Sequence, residues 1–217
     1  MAKRIKQLST LFFILVLPSL IYIFLAQGVH KHKPLPYIGE YDIVNSDTIQ
    51  HTIADYSFTN QYGETITQDS LKGNIVVVDF FFTTCGSICP EMSNQMMVVQ
   101  ERFREMDDIK ILSHTVNPEY DSIDILKAYA EEYGAIKNKW HFVTGEKEAL
   151  YKMGVNSYLI PTQEDVLAPG GFLHSEMFVL IDKEQHIRGF FDGTNSNEVN
   201  DLINAIKFLK LYKKPTK

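Results

Sequence analysis

The feature that most constrains the fold is the stretch NIVVVDFFF, residues 74–82. It is a continuous run of apolar, β-branched and aromatic residues, which is typical of a strand that is buried on both faces. Such a strand lies inside a sheet that is covered by helices on both sides, as in α/β proteins. The run therefore predicts a central strand in an α/β fold.

The rest of the sequence supplies the other elements of such a fold. Residues 51–68 are typical of two strands that are joined by a turn at Gly63. The further predicted elements are a helix with Pro90 at a first helical position, a strand over 109–118, a helix over 121–134 capped by Asp121 or Ser122 and ended by Gly134, a strand over 140–145, a helix over 146–154, a hairpin of 175–182 and 186–193, and a closing helix over 195–212. This order predicts an α/β sandwich with a mixed sheet.

The first 28 residues differ from the rest. Residues 11–26, LFFILVLPSLIYIFLA, contain no charge, and three basic residues precede them. Widened to 9–28, the segment reaches about twenty residues, roughly the length that crosses the core of a bilayer. A cleaved signal peptide is the alternative, but its apolar region is usually shorter, and FLAQG is a poor cleavage site. We therefore predict an uncleaved transmembrane anchor over 9–28.

The charges predict how this anchor is oriented. Basic residues without acidic ones at the start of the chain place residues 1–8 in the cytoplasm. The remainder holds 18 basic and 27 acidic residues, a net charge of −9, which makes nucleic-acid binding a poor candidate. No long Arg/Ser-rich presequence of the mitochondrial kind is present. We expect a single-pass protein of the bacterial inner (cytoplasmic) membrane, with a linker over 29–43 and an extracytoplasmic (periplasmic) domain over 44–217.

Cys85 and Cys89 are the only cysteines, and they lie where the central strand passes into a helix. Loops at the carboxyl ends of strands often hold the chemistry of α/β folds. A structural disulfide is one reading, but closing so short a loop stabilises little. A dithiol redox site is another, although exchange sites of the thioredoxin type have two intervening residues instead of three. A peroxidase cysteine has only the tripeptide TTC in its favour.

A metal site is the fourth reading of the pair. Two thiolates one helical turn apart can converge on one ion, and thiolates select soft or borderline ions such as Cu(I) and Zn(II). A structural zinc site requires four protein ligands, whereas two or three soft ligands satisfy Cu(I). Of the seven histidines, His174 stands in a loop ahead of the apolar strand 175–182. That loop can approach the cysteines, although position alone does not decide it.

At this point the sequence resembles a known family. The segment VVVDFFFTTCGSICPEM, residues 76–92, followed by LHSEMFVLID, residues 173–182, is similar to the Sco/SenC family of membrane-anchored copper proteins. Four further segments occur in the family's order: LPYIGE at 35–40, LSHTVNPEYDS at 112–122, WHFVTG at 140–145 and FFDGT at 190–194.

The resemblance implies a thioredoxin-like fold, with a mixed central sheet flanked by helices, that binds one copper ion as Cu(I) or Cu(II). It implies Cys85, Cys89 and His174 as the metal ligands. The implied role is delivery of copper to the CuA site of cytochrome c oxidase, or reduction of the cysteines of that site. The sequence departs from many relatives. They have a proline after the first cysteine and an aspartate or a similar polar residue inside the motif, where this chain has GSI, and Leu173 stands where an aspartate is common. Such changes alter the surroundings that tune a metal site.

Two classes of function therefore stay open. A copper chaperone passes its ion to a partner by ligand exchange. An extracytoplasmic thiol–disulfide oxidoreductase would instead use Cys85 and Cys89 as catalytic, redox-active thiols to reduce partner cysteines. The same sulfurs cannot be disulfide and ligands together, so the redox state controls copper binding. Because a histidine ligand serves a metal more directly, we favour the chaperone, with subunit II of cytochrome c oxidase or another copper or thiol protein as partner.

Overall fold

The computed structural model describes residues 4, 6, 12–22, 35–44, 47–160 and 175–211. The chain divides into two compact units, residues 1–34 and 35–217. In the first unit, residues 12–22 are helical, and the hydroxyl of Ser19 donates to the carbonyl of Leu15 at 2.8 Å. Within the described residues, no helix is both long and apolar enough to cross a membrane. The anchor over 9–28 stays a prediction.

The second unit is built on a mixed β-sheet. The described strands are β1 Tyr41–Val44, β2 Asp47–Gln50, β3 Ser57–Asn60, β4 Thr65–Thr67, β5 Ile75–Phe81, β6 Ile109–Thr115, β7 Trp140–Thr144, β8 Met177–Ile181 and β9 Ile187–Asp192. Seven of them form one sheet in the order β4-β3-β7-β6-β5-β8-β9, and β1 and β2 form a separate hairpin. Strands β5, β6 and β7 are parallel, whereas the strands on either side of them are antiparallel to their neighbours.

Helices connect the parallel strands and cover the sheet. The described helices of this unit are α1 Gln68–Leu71, α2 Ile88–Arg102, α3 Ile123–Glu132, α4 Lys147–Lys152 and α5 Ser196–Leu211. Helix α2 leads from β5 to β6, and α3 leads from β6 to β7, as parallel neighbours require. Helix α5 packs against α2 and β9. The prediction of an α/β fold with a mixed sheet is confirmed.

Strand β5 lies inside the sheet, with a strand on each side, as residues 74–82 predict. Every residue of Ile75–Phe81 is buried. The strand pairs with β6 on one side, where Phe80 faces His114, and with β8 on the other, where Val78 faces Val179. One charged side chain interrupts this apolar strand, since Asp79 is only 1% exposed. It lies two residues before the end of the strand that leads to the cysteines.

Helix α2 begins earlier than the sequence indicates. Pro90 is expected at the first helical position, but the helix starts at Ile88, so this prediction is wrong by two residues. The N–H groups of a first helical turn have no partner within the helix, so proline is tolerated anywhere in that turn. Four apolar residues at helical spacing in this segment are buried, namely Met92, Met96, Val99 and Phe103. The earlier start places Cys89 inside the helix and leaves Cys85 before it.

The predicted turns and caps are mostly confirmed. Gly63 has a φ of 75° in the turn between β3 and β4, a conformation that favours glycine. The hydroxyl of Ser122 caps α3 by accepting from the N–H of Ile125 at 3.4 Å, and Gly134 follows the helix with a φ of 59°. The sequence did not indicate the π-helical turn Met153–Ser157 that extends α4.

The start of the second unit is held against the sheet by a buried arginine. The guanidinium of Arg188 on β9 donates to the carbonyl of Leu35 at 2.6 Å and to that of Pro36 at 3.0 Å. It also donates to the carboxylate of Asp182 at 2.7 Å. Part of the segment 29–43, which the sequence indicates as a linker, therefore contacts β9. The hairpin of β1 and β2, which overlaps the end of that segment, was not predicted.

Candidate metal centre

The two thiols lie side by side at the carboxyl end of β5. The chain leaves the strand through a tight turn, Phe82–Cys85, which is closed by a 3.1 Å hydrogen bond from the N–H of Cys85 to the carbonyl of Phe82. Cys89 follows in the first turn of α2. Both are free thiols, 8% and 3% exposed, and they lie close enough for each to shift the pKa of the other. The structure therefore brings these two predicted site residues together, whereas His174 lies outside the described residues.

Cys85 is the more acidic thiol of the pair. Desolvation opposes ionisation, but several hydrogen bonds to the sulfur outweigh it, and the pKa of Cys85 lies below its ordinary value. The donors are the N–H groups of Cys89 and Ser87 and the side chains of the same two residues. The hydroxyl of Ser87 lies 3.6 Å from the sulfur. Because the first N–H groups of a helix lack internal partners, the start of α2 can stabilise a thiolate here.

Cys89 has the opposite character. Burial raises the pKa of Cys89 well above its ordinary value, and the neighbouring Cys85 and the carboxyl of Asp79 raise it further. The N–H of Phe82 donates to its sulfur, but this lowers the pKa less than burial raises it. Cys85 is therefore the thiol that ionises first, and Cys89 stays protonated until another group displaces its proton.

Asp79 is a residue near the site that sequence reasoning missed. The hydroxyl of Ser113 donates to its carboxyl at 2.5 Å and accepts from the indole N–H of Trp140 at 2.8 Å. Burial raises the pKa of Asp79 to about 7, despite the hydrogen bond from Ser113. A single acidic residue in the otherwise apolar run 74–82 was the available signal, because an isolated carboxyl is costly to bury.

Asp121 is a second missed residue, since the sequence offered it only as a helix cap. Its carboxylate is fully buried and receives hydrogen bonds from Thr83, in the turn before Cys85, and from Thr115, at the end of β6. The cap of α3 is made by Ser122 instead. The signal for this role was weak, because only the fold brings residues 83, 115 and 121 together.

The histidines of the described residues have partners other than the cysteines. Each ring lies within hydrogen-bond distance of a different group: His51 of the carbonyl of Ser157, His114 of the hydroxyl of Tyr158, His141 of the amide of Asn60 and His186 of the carboxylate of Asp182. None of these contacts involves the thiols. The described histidines are therefore engaged elsewhere, and His174, the predicted third ligand, lies outside the described residues.

Among the described residues, a further group of metal-ligand side chains lies in the turn between β8 and β9. Asp182, Glu184 and His186 place their ligand atoms within 4.8 Å of one another. The carboxylate of Asp182 is already used, because it accepts from Arg188 at 2.7 Å and from the N–H groups of Glu184 and His186 at 3.1 and 2.9 Å. The guanidinium of Arg188 contacts this carboxylate directly and disfavours a second cation there. The group therefore stabilises the turn and is a poor metal site.

The donor chemistry of the cysteine pair suits a soft ion. Two sulfurs that lie near enough to shift each other's pKa can bind one ion together, and thiolates bind Cu(I) in preference to hard ions. The same closeness allows the pair to form a disulfide. The geometry of the site therefore fits both metal binding and thiol exchange.

Comparison with known proteins gives the family. The family model described as SCO1/SenC matches residues 44–209. The chain belongs to the SCO1/SenC family. The SCO1 protein homolog of Bacillus subtilis is 28% identical over 167 residues, which cover 74% of this chain and 84% of the relative.

Solved structures give the same result. A SCO1/SenC family lipoprotein from Bacillus anthracis has a TM-score of 0.67 and 27% identity, over 74% of this chain and 95% of that one. BsSco, described as a member of the Sco family of cytochrome c oxidase assembly proteins with a disulfide switch, has a TM-score of 0.65 and 27% identity, over 75% and 95%. Bradyrhizobium japonicum ScoI, solved with copper bound, shares the fold at a TM-score of 0.59 and 21% identity, over 75% and 99%. The fold is therefore the thioredoxin-like one of Sco proteins, as the resemblance implied.

Proposed function

We propose that this SCO1/SenC protein is a copper metallochaperone. It binds one copper ion, as Cu(I) or Cu(II), through Cys85, Cys89 and His174, and it assists assembly of the CuA centre of cytochrome c oxidase. Subunit II of the oxidase, or another copper or thiol protein, is its partner. BsSco is described as belonging to a family of oxidase assembly proteins, and ScoI is a family member with copper bound, which supports this role.

The observation that carries the proposal is the pair of adjacent free thiols at the carboxyl end of β5. Cys85 binds first as a thiolate, because the N–H groups at the start of α2 stabilise its charge. A bound cation then favours loss of the proton from Cys89, whose pKa is raised in its absence. Two largely buried sulfurs protect the ion from water, and a partner's thiolates can displace them one at a time.

The third ligand is proposed on the sequence. His174 directly precedes Ser175, which is buried, and β8 begins two residues later beside β5. Antiparallel pairing of β8 with β5 brings the start of β8 toward the end of β5 where the cysteines lie. This topology supports a position of His174 near the thiols.

Thiol–disulfide exchange is the second candidate function, and the unequal acidity of the two thiols favours it. The Cys85 thiolate would attack a partner disulfide and form a mixed disulfide while one partner thiolate leaves. Cys89 would lose its proton, attack Cys85 and release the second partner thiolate, so two electrons pass to the partner and this chain ends as a disulfide. A reducing protein would have to restore the dithiol.

The location is also proposed on the sequence. Residues 9–28 anchor the chain in the bacterial inner membrane, residues 1–8 stay in the cytoplasm, and 29–43 link the anchor to the extracytoplasmic domain over 44–217. A relative of known structure from Bacillus anthracis is described as a lipoprotein, which supports a membrane-associated domain outside the cytoplasm.

An anaerobic titration with Cu(I) against a chromogenic chelator tests the copper site. The reduced protein should bind one equivalent, because both sulfurs are available. The oxidised protein should bind none, since a disulfide leaves no thiolate to serve as ligand. Cys85→Ser and Cys89→Ser should each abolish stoichiometric binding, whereas Ser87→Ala, which keeps both thiols, should retain it. One tightly held Cu(I) in the double serine variant would refute the assignment.

His174→Ala separates the two oxidation states of copper. Cu(I) has a filled d shell and two thiolates can hold it almost alone, so its affinity should fall only about tenfold or less. Cu(II) prefers tetragonal coordination with nitrogen or oxygen donors, so it should lose its thiolate charge-transfer band or oxidise the cysteines. His186→Ala is the matched control and should keep the band. An unchanged Cu(II) absorption spectrum in a folded His174→Ala protein removes this residue from the site.

A further inference from the structure

The buried carboxylate of Asp121 links the cysteine loop to the end of the sheet. One of its oxygens accepts from the hydroxyl of Thr83. The other accepts from the N–H of Thr83 at 3.3 Å and from the hydroxyl of Thr115. Its side chain is 0% exposed, so these bonds are shielded from water. Three donors from two elements therefore meet on one carboxylate.

Backbone hydrogen bonds fix Thr115 and Asp121, the two residues on the framework side of this contact. Thr115 ends β6, and the next residue, Val116, donates its N–H to the carbonyl of Phe81 at 2.8 Å. The N–H of Asp121 donates to the carbonyl of Asn117 at 2.9 Å just before α3 begins. The carboxylate is thus held by the framework on one side and holds Thr83 on the other.

Thr83 lies in the turn whose backbone contacts both cysteines. It is the second residue of the turn Phe82–Cys85. The carbonyl of Phe82 accepts from the N–H of Cys85 at 3.1 Å, and the N–H of Phe82 donates to the sulfur of Cys89. By fixing the backbone at Thr83, Asp121 therefore fixes the turn that positions both thiols.

We propose that Asp121, acting through Thr83, is a positioning residue that holds the turn 82–85 in the shape in which the two reduced sulfurs lie together. Its copper consequence rests on the proposed function, whereas its effect on the metal-free dithiol does not. Loss of the hold lets the turn relax. The N–H groups that donate to the reduced sulfurs are then less well placed. Because a disulfide sulfur is a poorer hydrogen-bond acceptor than a thiolate, the dithiol loses more stability than the disulfide, and the thiolates converge on an ion only at a cost.

The two threonines on Asp121 provide a matched test in the full-length protein in detergent. Thr83→Val removes the hydroxyl on the cysteine side, and Thr115→Val removes the one on the framework side. Thr83→Val should lower the affinity for Cu(I) about 10- to 100-fold, the usual cost of losing support around a metal site. Thr115→Val leaves both bonds from Thr83 to the carboxylate and the backbone bond from Asp121 to Asn117, so the turn stays held and the affinity should stay within about twofold of the wild type. Thr83→Ser keeps the hydroxyl and should retain wild-type binding.

The equilibrium of the metal-free protein with glutathione gives a readout that does not involve copper. Thr83→Val should shift it at least about fivefold toward the disulfide, the scale of one hydrogen bond, and Thr115→Val should not. Equal shifts in the two valine variants, or none in Thr83→Val, overturn the proposal. If the wild type binds no copper, the proposed function fails, and the glutathione equilibrium still decides the role of Asp121. Thr83→Ala repeats the comparison if valine prevents folding.

Discussion

Iodoacetamide added to the reduced, copper-free protein at pH 7 should alkylate Cys85 at least about a hundredfold faster than Cys89. The thiolate is the reactive form, and each unit by which the pKa of a thiol rises above the pH lowers its thiolate fraction about tenfold. Hydrogen bonds from the start of α2 hold the pKa of Cys85 below its ordinary value. Burial raises the pKa of Cys89, and a thiolate on Cys85 opposes a second negative charge beside it. Both chemical reactivity and access therefore favour Cys85.

Mass spectrometry of the cysteine peptide over time measures the two rates. The Cys85→Ser variant isolates Cys89, which should stay slow because its burial is unchanged. The Cys89→Ser variant should still react at Cys85. Comparable rates at the two positions, or faster reaction of Cys89, would contradict the assignment of Cys85 as the first ligand and as the attacking thiol.

The sequence predicted the framework well where one local pattern decides the structure. The apolar run 74–82 became the buried strand β5, and the segments 109–118 and 140–145 became the parallel strands β6 and β7 that follow it in the sheet. A strand buried on both faces has few alternatives, because an apolar run of this length finds burial only inside the sheet. The start of α2 was misplaced, since proline is permitted throughout a first helical turn.

The surroundings of the site were harder to predict, because they depend on contacts between distant segments. Asp121 is adjacent to a helix start, and its local pattern indicated a cap, but tertiary hydrogen bonds to Thr83 and Thr115 decide its role. The pairing of Cys85 with Cys89 could be anticipated from their spacing, whereas the difference in their acidity could not. That difference depends on N–H groups whose directions only the folded chain defines.

Stability should depend on pH through Asp79. The pKa of this carboxyl is raised by burial from 3.8 to about 7 in the folded protein. Between these two pH values the folded state binds more protons than the unfolded state. The contribution of Asp79 to the free energy of unfolding is therefore most favourable at low pH and falls as the pH rises toward 7. The loss should reach about 4 kcal/mol, because each pKa unit corresponds to about 1.4 kcal/mol. Above pH 7 this contribution should be constant.

Asp79→Asn should remove that loss, because the amide is uncharged and its oxygen can still accept from Ser113. The free energy of unfolding of the variant should exceed that of the wild type by about 3 to 4 kcal/mol at pH 8 and by little at pH 4. Denaturant unfolding of the reduced, copper-free proteins across this range measures the difference. Buried His114 and His141, with pKa values lowered by desolvation to about 3 and about 4, reduce stability in acid for both proteins and cancel in the comparison.

Ser113→Ala is the matched control for the carboxyl itself. It removes the hydrogen bond to Asp79 and leaves the indole N–H of Trp140 without its acceptor, so it should lower stability at every pH. It keeps the buried carboxyl, and the fall in stability between pH 4 and 7 should therefore persist. If Asp79→Asn showed the same slope as the wild type, the proton taken up on folding would belong to another group. A variant that lost stability at pH 8 would instead mean that the carboxylate is stabilised by its surroundings beside Cys89.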